Sequence, residues 1–272
     1  MILAVLGPGA LGCSLARHAA SRGISVRLAG RNQAHAQCAL DDLGRRGIEV
    51  ARIRAIGCEA AAFEGADAVL EALPEDPERK AATWRDIAPW LPVGALRLTG
   101  SSSLPVSALD AAAGLGGRLM AFHLFVPVGR MGVVELVAPE SVPAADRGRA
   151  ASLASALDLR LVQVQDGPGY AAARMGLAQG LEAMRLLEAG VATAEDLDAL
   201  MVNGYGHPVG PLELSDRVGL DLRLAIAERL FVETGDARFE PPRILREKVA
   251  EGALGRKTGR GFFIWDADRR RR

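Results

Sequence analysis

Short apolar runs alternate with longer amphipathic stretches along the first two-thirds of the chain. Residues 2–6, 25–29, 68–72, 95–99, 119–122, 133–137 and 161–164 are apolar and flanked by Gly, Pro or Ser, which predicts strands. Strand, helix and strand in that order predict parallel pairing and a doubly wound sheet. The last strands follow one another more closely, which predicts that part of the sheet is antiparallel. Asp166-Gly-Pro-Gly169 breaks the pattern, and no strand signal follows it. In the stretch 171–189, Leu177, Leu181, Met184 and Leu187 recur at spacings of three and four, predicting an amphipathic helix closed by Gly190. Thr193 before Glu195 and Asp196 reads as a helix start and Asn203-Gly204 as a stop. Residues 211–218, 221–233 and 242–251 fit further helices. The expected architecture is α/β: a Rossmann-type domain over 1–166 and an all-α domain over 167–272.

Composition narrows the classes of function. A length of 272 residues suits two domains at about 150 residues each. Thirty-three basic residues balance thirty-three acidic ones, so no electrostatic reason for a nucleic-acid partner exists. An apolar content of 49% with 24% charged residues excludes disordered and fibrous chains. No apolar run nears the ~20 residues of a membrane-spanning helix, so no membrane partner is expected. The start lacks the basic region of a signal peptide, and Cys13, Cys38 and Cys58 form no CxxC pair. A reducing cytoplasm is therefore the expected location. No His, Cys, Asp and Glu cluster has metal-ligand spacing, so no metal is expected. His18 and His35 fall on predicted helices facing solvent, His207 falls in a structural turn, and the arginines at 269–272 read as a frayed, solvated end.

The first candidate site is Gly7-x-Gly9-x-x-Gly12, which follows the first strand and opens a helix. Gly7 permits the tight turn, Gly9 lets backbone approach a pyrophosphate, and Gly12 allows close helix–strand packing. The stretch Gly7, Gly9, Ala10, Leu11 and Gly12 is accordingly expected to hold a dinucleotide. At the end of the second strand, an NAD site ordinarily carries Asp or Glu for the ribose 2′-hydroxyl. Here the residues are Ala29-Gly30-Arg31-Asn32. The missing carboxylate and the permanently charged Arg31 favour NADP(H) over NAD(H). The alternative is that Arg31 stacks on the adenine or faces water.

Several motifs along nearly the whole length resemble the L-3-hydroxyacyl-CoA dehydrogenase family. They are Ala66-Asp-Ala-Val-Leu-Glu-Ala-Leu-Pro-Glu75, Ser101-Ser-Ser-Leu-Pro105, His123 with Pro127 and Glu135, and Asp166-Gly-Pro-Gly169. Gly206-His-Pro-Val-Gly-Pro-Leu-Glu-Leu214 and Leu254-Gly-Arg-Lys-Thr-Gly-Arg-Gly-Phe-Phe263 complete the set. The resemblance implies a dinucleotide-binding domain, a helical domain that forms a homodimer, and an active site between them. It makes His123 the catalytic histidine that exchanges the substrate's 3-hydroxyl proton, and Glu135 the carboxylate that orients its ring. Without the resemblance, a lone histidine near a strand end reads first as a buried, satisfied one. Ser102 matches the serine that bonds the substrate oxygen, with a one-position ambiguity from Ser101 and Ser103. Glu75, Lys80 and Lys257 match cofactor-contacting positions. Their alternatives are a helix-start charge pair for Glu75 and Lys80 and a solvated basic loop for Lys257.

Three departures stand out. The resemblance expects an asparagine at Ala173, before Arg174, where a lost donor to the substrate can cost ~10²–10³ in rate. It expects another at Val126. It also expects a long helical excursion after the second strand, where part of coenzyme A is held; only 32–50 fills that space, enough for one helix over 32–43 before Gly44 and Gly47 break it, with few groups to grip an adenosine phosphate. The expected function is hydride transfer between a nicotinamide cofactor and a 3-hydroxyacyl or 3-ketoacyl substrate. The alternatives are the same chemistry on a carrier-bound acyl group or free hydroxy acid, and a nucleotide-binding homologue that has lost catalysis.

Overall fold

The computed structural model describes residues 1–268 and 271, in two units, Met1–Tyr170 and Ala171–Arg272. In the first unit, β1 (Ile2–Leu6), β2 (Ser25–Gly30), β3 (Ile53–Gly57), β4 (Ala68–Glu71), β5 (Leu96–Thr99), β6 (Leu119–Leu124), β7 (Val133–Val137) and β8 (Arg160–Val164) form one sheet. Their order is β3-β2-β1-β4-β5-β6-β7-β8, and only the β6–β7 pair is antiparallel. The connection 125–132 is shorter than the dozen or so residues a parallel crossover needs, so β7 must turn back. Helices α1 (Ala10–Ser21), α2 (Gln33–Arg45), α3 (Pro77–Ile87), α4 (Val106–Ala113) and α5 (Ala144–Ala156) cover the sheet.

Side chains alternate across each strand, so the sheet builds two cores. Leu3 and Val5 face one layer with Leu15, Ala19 and Leu28, while Ala4 and Leu6 face the other with Phe63, Trp84 and Ile87. Each buried Leu or Val contributes roughly 1.5–3 kcal/mol, so strands this apolar hold the ends of the sheet in fixed register. The strand β3 is missing from the sequence-predicted set. Arg54 interrupts its apolar run, and it is an edge strand that pairs only with β2. The helix expected to stop before Gly44 instead runs through it to Arg45, and the chain turns at Gly47, whose φ is +71°.

The second unit contains α6 (Ala172–Glu188), α7 (Ala194–Ala199), α8 (Pro211–Val218), α9 (Leu220–Thr234) and α10 (Arg243–Ala250). The predicted stripe is its core: Leu177, Leu181 and Met184 pack with Leu212, Leu230, Leu245 and Phe263. Thr193 caps α7, and Asn203-Gly204 lies in a π-helical turn, Leu200–Gly204. Two buried aspartates organise the loops. Asp198 accepts the Leu212 and Glu213 amides, and Asp216 accepts those of Phe262 and Phe263 and the Trp265 indole. A Cβ on Gly210 would stand 2.1 Å from Asp198, and one on Gly261 2.1 Å from Asp216. These approaches explain Gly210 and Gly261 by packing alone.

Two expectations about surface groups change. His18 is half-buried, its Nε2 2.6 Å from the Leu157 carbonyl, because α1 packs beside the end of α5. Arg271 is anchored rather than frayed: its guanidinium lies 3.6 Å from the Phe263 ring centre and donates to Glu213 at 3.0 Å. The remainder of that tail, Arg269, Arg270 and Arg272, lies outside the described residues. Among the described residues no helix is long and apolar enough to cross a membrane.

Candidate active site

The glycine turn is built for close approach. Gly7 sits at φ +110°, and a Cβ there would meet the Ala72 carbonyl at 2.7 Å. A Cβ on Gly12 would stand 1.9 Å from the Gly7 carbonyl, so only glycine lets α1 leave β1 this tightly. Gly9, by contrast, has open space around it. The first turn of α1, which carries Ala10 and Leu11, has no side-chain cap and no acidic residue. Its N–H groups and the helix dipole are thus left for an anion, and the cradle fits a dinucleotide pyrophosphate.

Two grooves flank this turn. One, of ≈ 360 Å³, opens where strand order reverses between β1 and β4; Gly7, Gly9, Ala29, Arg31, His35 and Arg79 are among its lining residues. The other, of ≈ 700 Å³, lies between α1 and α2, with Ala10, Ser14, Arg17, Arg45, Arg46 and Val126 in its walls. The short segment after β2 thus brings more charge to this groove than its length suggested. Running α2 through Gly44 carries Arg45 and Arg46 to the wall, and α1 adds Arg17.

At the far side of the reversal, β6 and β7 place His123 directly opposite Glu135. His123 Nδ1 lies 2.5 Å from Glu135 Oε2, with the two residues only 7% and 4% exposed. The antiparallel return is what creates the pair, because facing residues on adjacent strands point to the same side of the sheet. Phe125 and Tyr170 wall the imidazole, with ring centres at 4.7 and 6.0 Å.

β5 ends beside β6, with Thr99 paired to Ala121, so the serine turn that follows β5 emerges at the same sheet edge as His123. Ser101 and Ser103 are fully buried and Ser102 is half-buried. One oxygen of Glu75 collects this turn. It accepts from the hydroxyls of Ser101 (2.6 Å), Ser103 (3.0 Å) and, at the longer distance of 3.4 Å, Ser102, and from the amides of Ser102 and Ser103 (both 2.9 Å). Burial alone raises the Glu75 carboxyl pKa, but the Lys80 ammonium and these hydrogen bonds outweigh it and hold it below the ordinary value. Lys80 itself is 1% exposed, with its ammonium 2.7 Å from Glu71, 3.5 Å from Glu75 and 3.2 Å from the Leu73 carbonyl. Glu75 precedes α3 rather than lying on it, so the two residues are not a surface helix pair.

The Asp166-Gly-Pro-Gly169 segment clamps the turn from the other side. The Gly169 amide donates to the Ser103 carbonyl, the Tyr170 hydroxyl donates to the Leu104 carbonyl at 2.7 Å, and Asp166 caps the start of α4. Burial first, then the carboxylates of Glu75, Asp166 and Glu135, push the Tyr170 phenol well above its ordinary value and keep it protonated. Sequence reasoning missed Tyr170, Glu71 and Thr99. A charged residue closing the apolar run 68–71 was the one visible signal. Lys257 lies in the second unit, where its ammonium bonds both oxygens of Asp221, at 2.6 and 2.5 Å.

Family models agree with this geometry over almost the full length. The "3-hydroxyacyl-CoA dehydrogenase, NAD binding domain" model matches residues 2–167, and the "3-hydroxyacyl-CoA dehydrogenase, C-terminal domain" model matches 169–265. The chain belongs to the 3-hydroxyacyl-CoA dehydrogenase family. It is 32% identical over 277 residues to a 3-hydroxybutyryl-CoA dehydrogenase of Mycobacterium tuberculosis, covering 96% of this chain and 97% of that one. The probable 3-hydroxybutyryl-CoA dehydrogenase of Bacillus subtilis is also 32% identical, over 285 residues and 96% of each chain. The crystal structure of (S)-3-hydroxybutyryl-CoA dehydrogenase PaaH1 from Ralstonia eutropha superposes with a TM-score of 0.88 at 29% identity, covering 97% of this chain and 99% of that one. As a 3-hydroxyacyl-CoA dehydrogenase family member, the chain is a nicotinamide-dependent oxidoreductase acting on a CH–OH group. Its two polar-to-apolar departures sit in ordinary places for small and apolar side chains. Val126 is half exposed on the α1–α2 groove, and Ala173 is half-buried in the first turn of α6.

Proposed function

We propose that the protein interconverts 3-ketoacyl-CoA and 3-hydroxyacyl-CoA esters with NADP(H) as the preferred cofactor. The buried His123–Glu135 pair carries this reading, because a histidine locked onto a carboxylate at a sheet edge is equipped to move one proton repeatedly. With Glu135 accepting the Nδ1 proton, Nε2 is the nitrogen left to exchange a proton with the 3-oxygen. Ser102, the accessible member of its turn, donates to that oxygen and so stabilises negative charge there. Glu75 and Lys80 hold the Ser102 turn in place. When bound, the nicotinamide supplies the hydride that the carbonyl carbon takes up. Gly7, Gly9, Ala10, Leu11 and Gly12 would hold its pyrophosphate. Arg31, where a carboxylate would select a free 2′-hydroxyl, favours a 2′-phosphate.

The arginine-walled groove between α1 and α2 favours a CoA ester over a free hydroxy acid, since a free acid has no nucleotide to place there. We place the enzyme in the cytoplasm, in keeping with three unpaired cysteines. We also expect a homodimer through the helical unit, where Met175, Val191, Tyr205 and Val232 expose apolar surface.

Following NADPH and NADH consumption with acetoacetyl-CoA tests the reading. The expected result is faster turnover with NADPH, collapse of turnover by about a hundredfold or more in His123→Gln, and unchanged cofactor binding in that variant. Undiminished turnover in His123→Gln overturns the mechanism, and turnover of free acetoacetate in preference to its CoA ester overturns the substrate class.

A further inference from the structure

Two arginines and a histidine from three different parts of the chain line the groove at the β1–β4 reversal. Arg31 follows β2, His35 lies in the first turn of α2, and Arg79 lies in the first turn of α3. No Asp or Glu lines this groove. Among the described residues, none of the three side chains makes a hydrogen bond or an ion pair. Elsewhere in the same unit, cations are routinely satisfied, as in Arg22 with Asp158, Arg46 with Asp42 and Lys80 with Glu71.

The local sequence keeps negative charge out of the groove. Asparagine, rather than aspartate, caps α2, with Asn32 Oδ1 accepting the His35 amide at 2.8 Å. Asp76, three residues before Arg79, caps α3 and accepts the Arg79 amide at 3.0 Å, not its guanidinium, and neither it nor the adjacent Glu78 lines the groove. Gly30 sets the spacing: a Cβ there would lie 2.8 Å from the Ala36 amide, so the start of α2 is drawn against the end of β2 beside Arg31.

We propose that Arg79, with Arg31 and His35, forms a phosphomonoester site that reads the 2′-phosphate of NADP(H), Arg79 being a specificity-determining residue that the glycine motif does not contain. The proposal rests on the reading that a nicotinamide dinucleotide lies in this groove. Two guanidinium forks on separate elements can each offer paired N–H donors to one phosphate, a geometry that a ribose hydroxyl cannot exploit. Desolvating the two guanidinium groups without an anion is unfavourable, so the same cluster disfavours the unphosphorylated ribose.

The test uses the full chain and needs no turnover. Calorimetric titration with 2′,5′-ADP and with 5′-ADP isolates the phosphate from the nicotinamide. The expected result is 2′,5′-ADP binding about tenfold or more tightly than 5′-ADP, with the advantage shrinking as salt rises. Arg79→Gln should weaken 2′,5′-ADP by about tenfold and leave 5′-ADP within about twofold, while Arg79→Lys retains part of the preference. All three side chains are exposed, so these replacements leave the fold intact, which thermal unfolding checks. Equal affinity for the two nucleotides overturns the phosphate site. Equal loss of both in Arg79→Gln also overturns it, since Arg79 then stacks on the adenine. If 5′-ADP and NADH bind without any gain from the 2′-phosphate, the dinucleotide reading stands, and this proposal falls together with the NADP(H) preference. If no nucleotide binds, both fall.

Discussion

Glu75 shows how a single carboxylate can hold a whole turn of the chain together. Its oxygen gathers two amides and three hydroxyls of the serine turn, while Lys80 supplies the balancing charge from within the core. The Glu71–Lys80 contact behind it is an ion pair with both partners essentially unexposed. A buried pair is costly to break because the surviving charge is left uncompensated. Glu75→Gln removes the charge next to Lys80 but leaves Glu71 to satisfy the ammonium. We expect a loss of roughly 1–3 kcal/mol of stability at neutral pH. The pH dependence has a definite sign. A depressed carboxyl pKa contributes stability that is complete above the ordinary value of about 4.3 and is lost as pH falls through the folded-state value. Urea unfolding from pH 7 down to pH 3 should therefore show the wild-type chain losing stability in acid more steeply than Glu75→Gln. Parallel profiles would mean that Lys80 and the serines do not act on Glu75 as the geometry implies.

At the scale of elements, the β1–α1 junction separates two jobs that its glycines perform. A side chain on Gly12 collides with the Gly7 carbonyl, so Gly12→Ala must push α1 away from the sheet; one on Gly9 meets nothing and only fills the cradle. Gly12→Ala should lower both the melting temperature and dinucleotide affinity. Gly9→Ala should keep the melting temperature and lose affinity, as thermal unfolding and nucleotide titration would show. The same folding of both variants would contradict this division. These elements were legible in the sequence because their signals are local: an apolar run, a glycine turn, and a stripe such as Leu177-Leu181-Met184. β3 was not, since Arg54, second of its five residues, breaks the apolar run after Ile53 and leaves only Ala55 and Ile56 before Gly57. The extent of α2 was not either. Gly44 is tolerated within it at about 1 kcal/mol relative to Ala, and the true stop is Gly47 with its positive φ.

Across the whole chain the charges cancel, yet their placement does not. That is why composition gave no electrostatic reason for a nucleic-acid partner while the structure offers two arginine-lined grooves beside one glycine turn. The His123–Glu135 pair was legible because the family spacing sets both residues on adjoining strands. Arg17 was not, because its meaning depends on α2 passing opposite it, which no local pattern in residues 10–21 records. Arg17 makes no ion pair among the described residues, whereas Arg45 and Arg46 both engage Asp42. Of the three, Arg17 is therefore the cation most available to a nucleotide phosphate of coenzyme A. Arg17→Gln should raise KM for acetoacetyl-CoA by about tenfold, the scale of one charge-assisted hydrogen bond. It should leave kcat nearly unchanged, because the contact lies far along the substrate from the reacting carbon and contributes equally to ground and transition states. Acetoacetyl-pantetheine, which keeps the thioester and lacks the nucleotide, should show no difference between wild type and variant. Raised salt should narrow the gap for the CoA ester alone. A variant that slows both thioesters equally would instead place Arg17 in the support of α1, and the groove would lose its claim on the nucleotide.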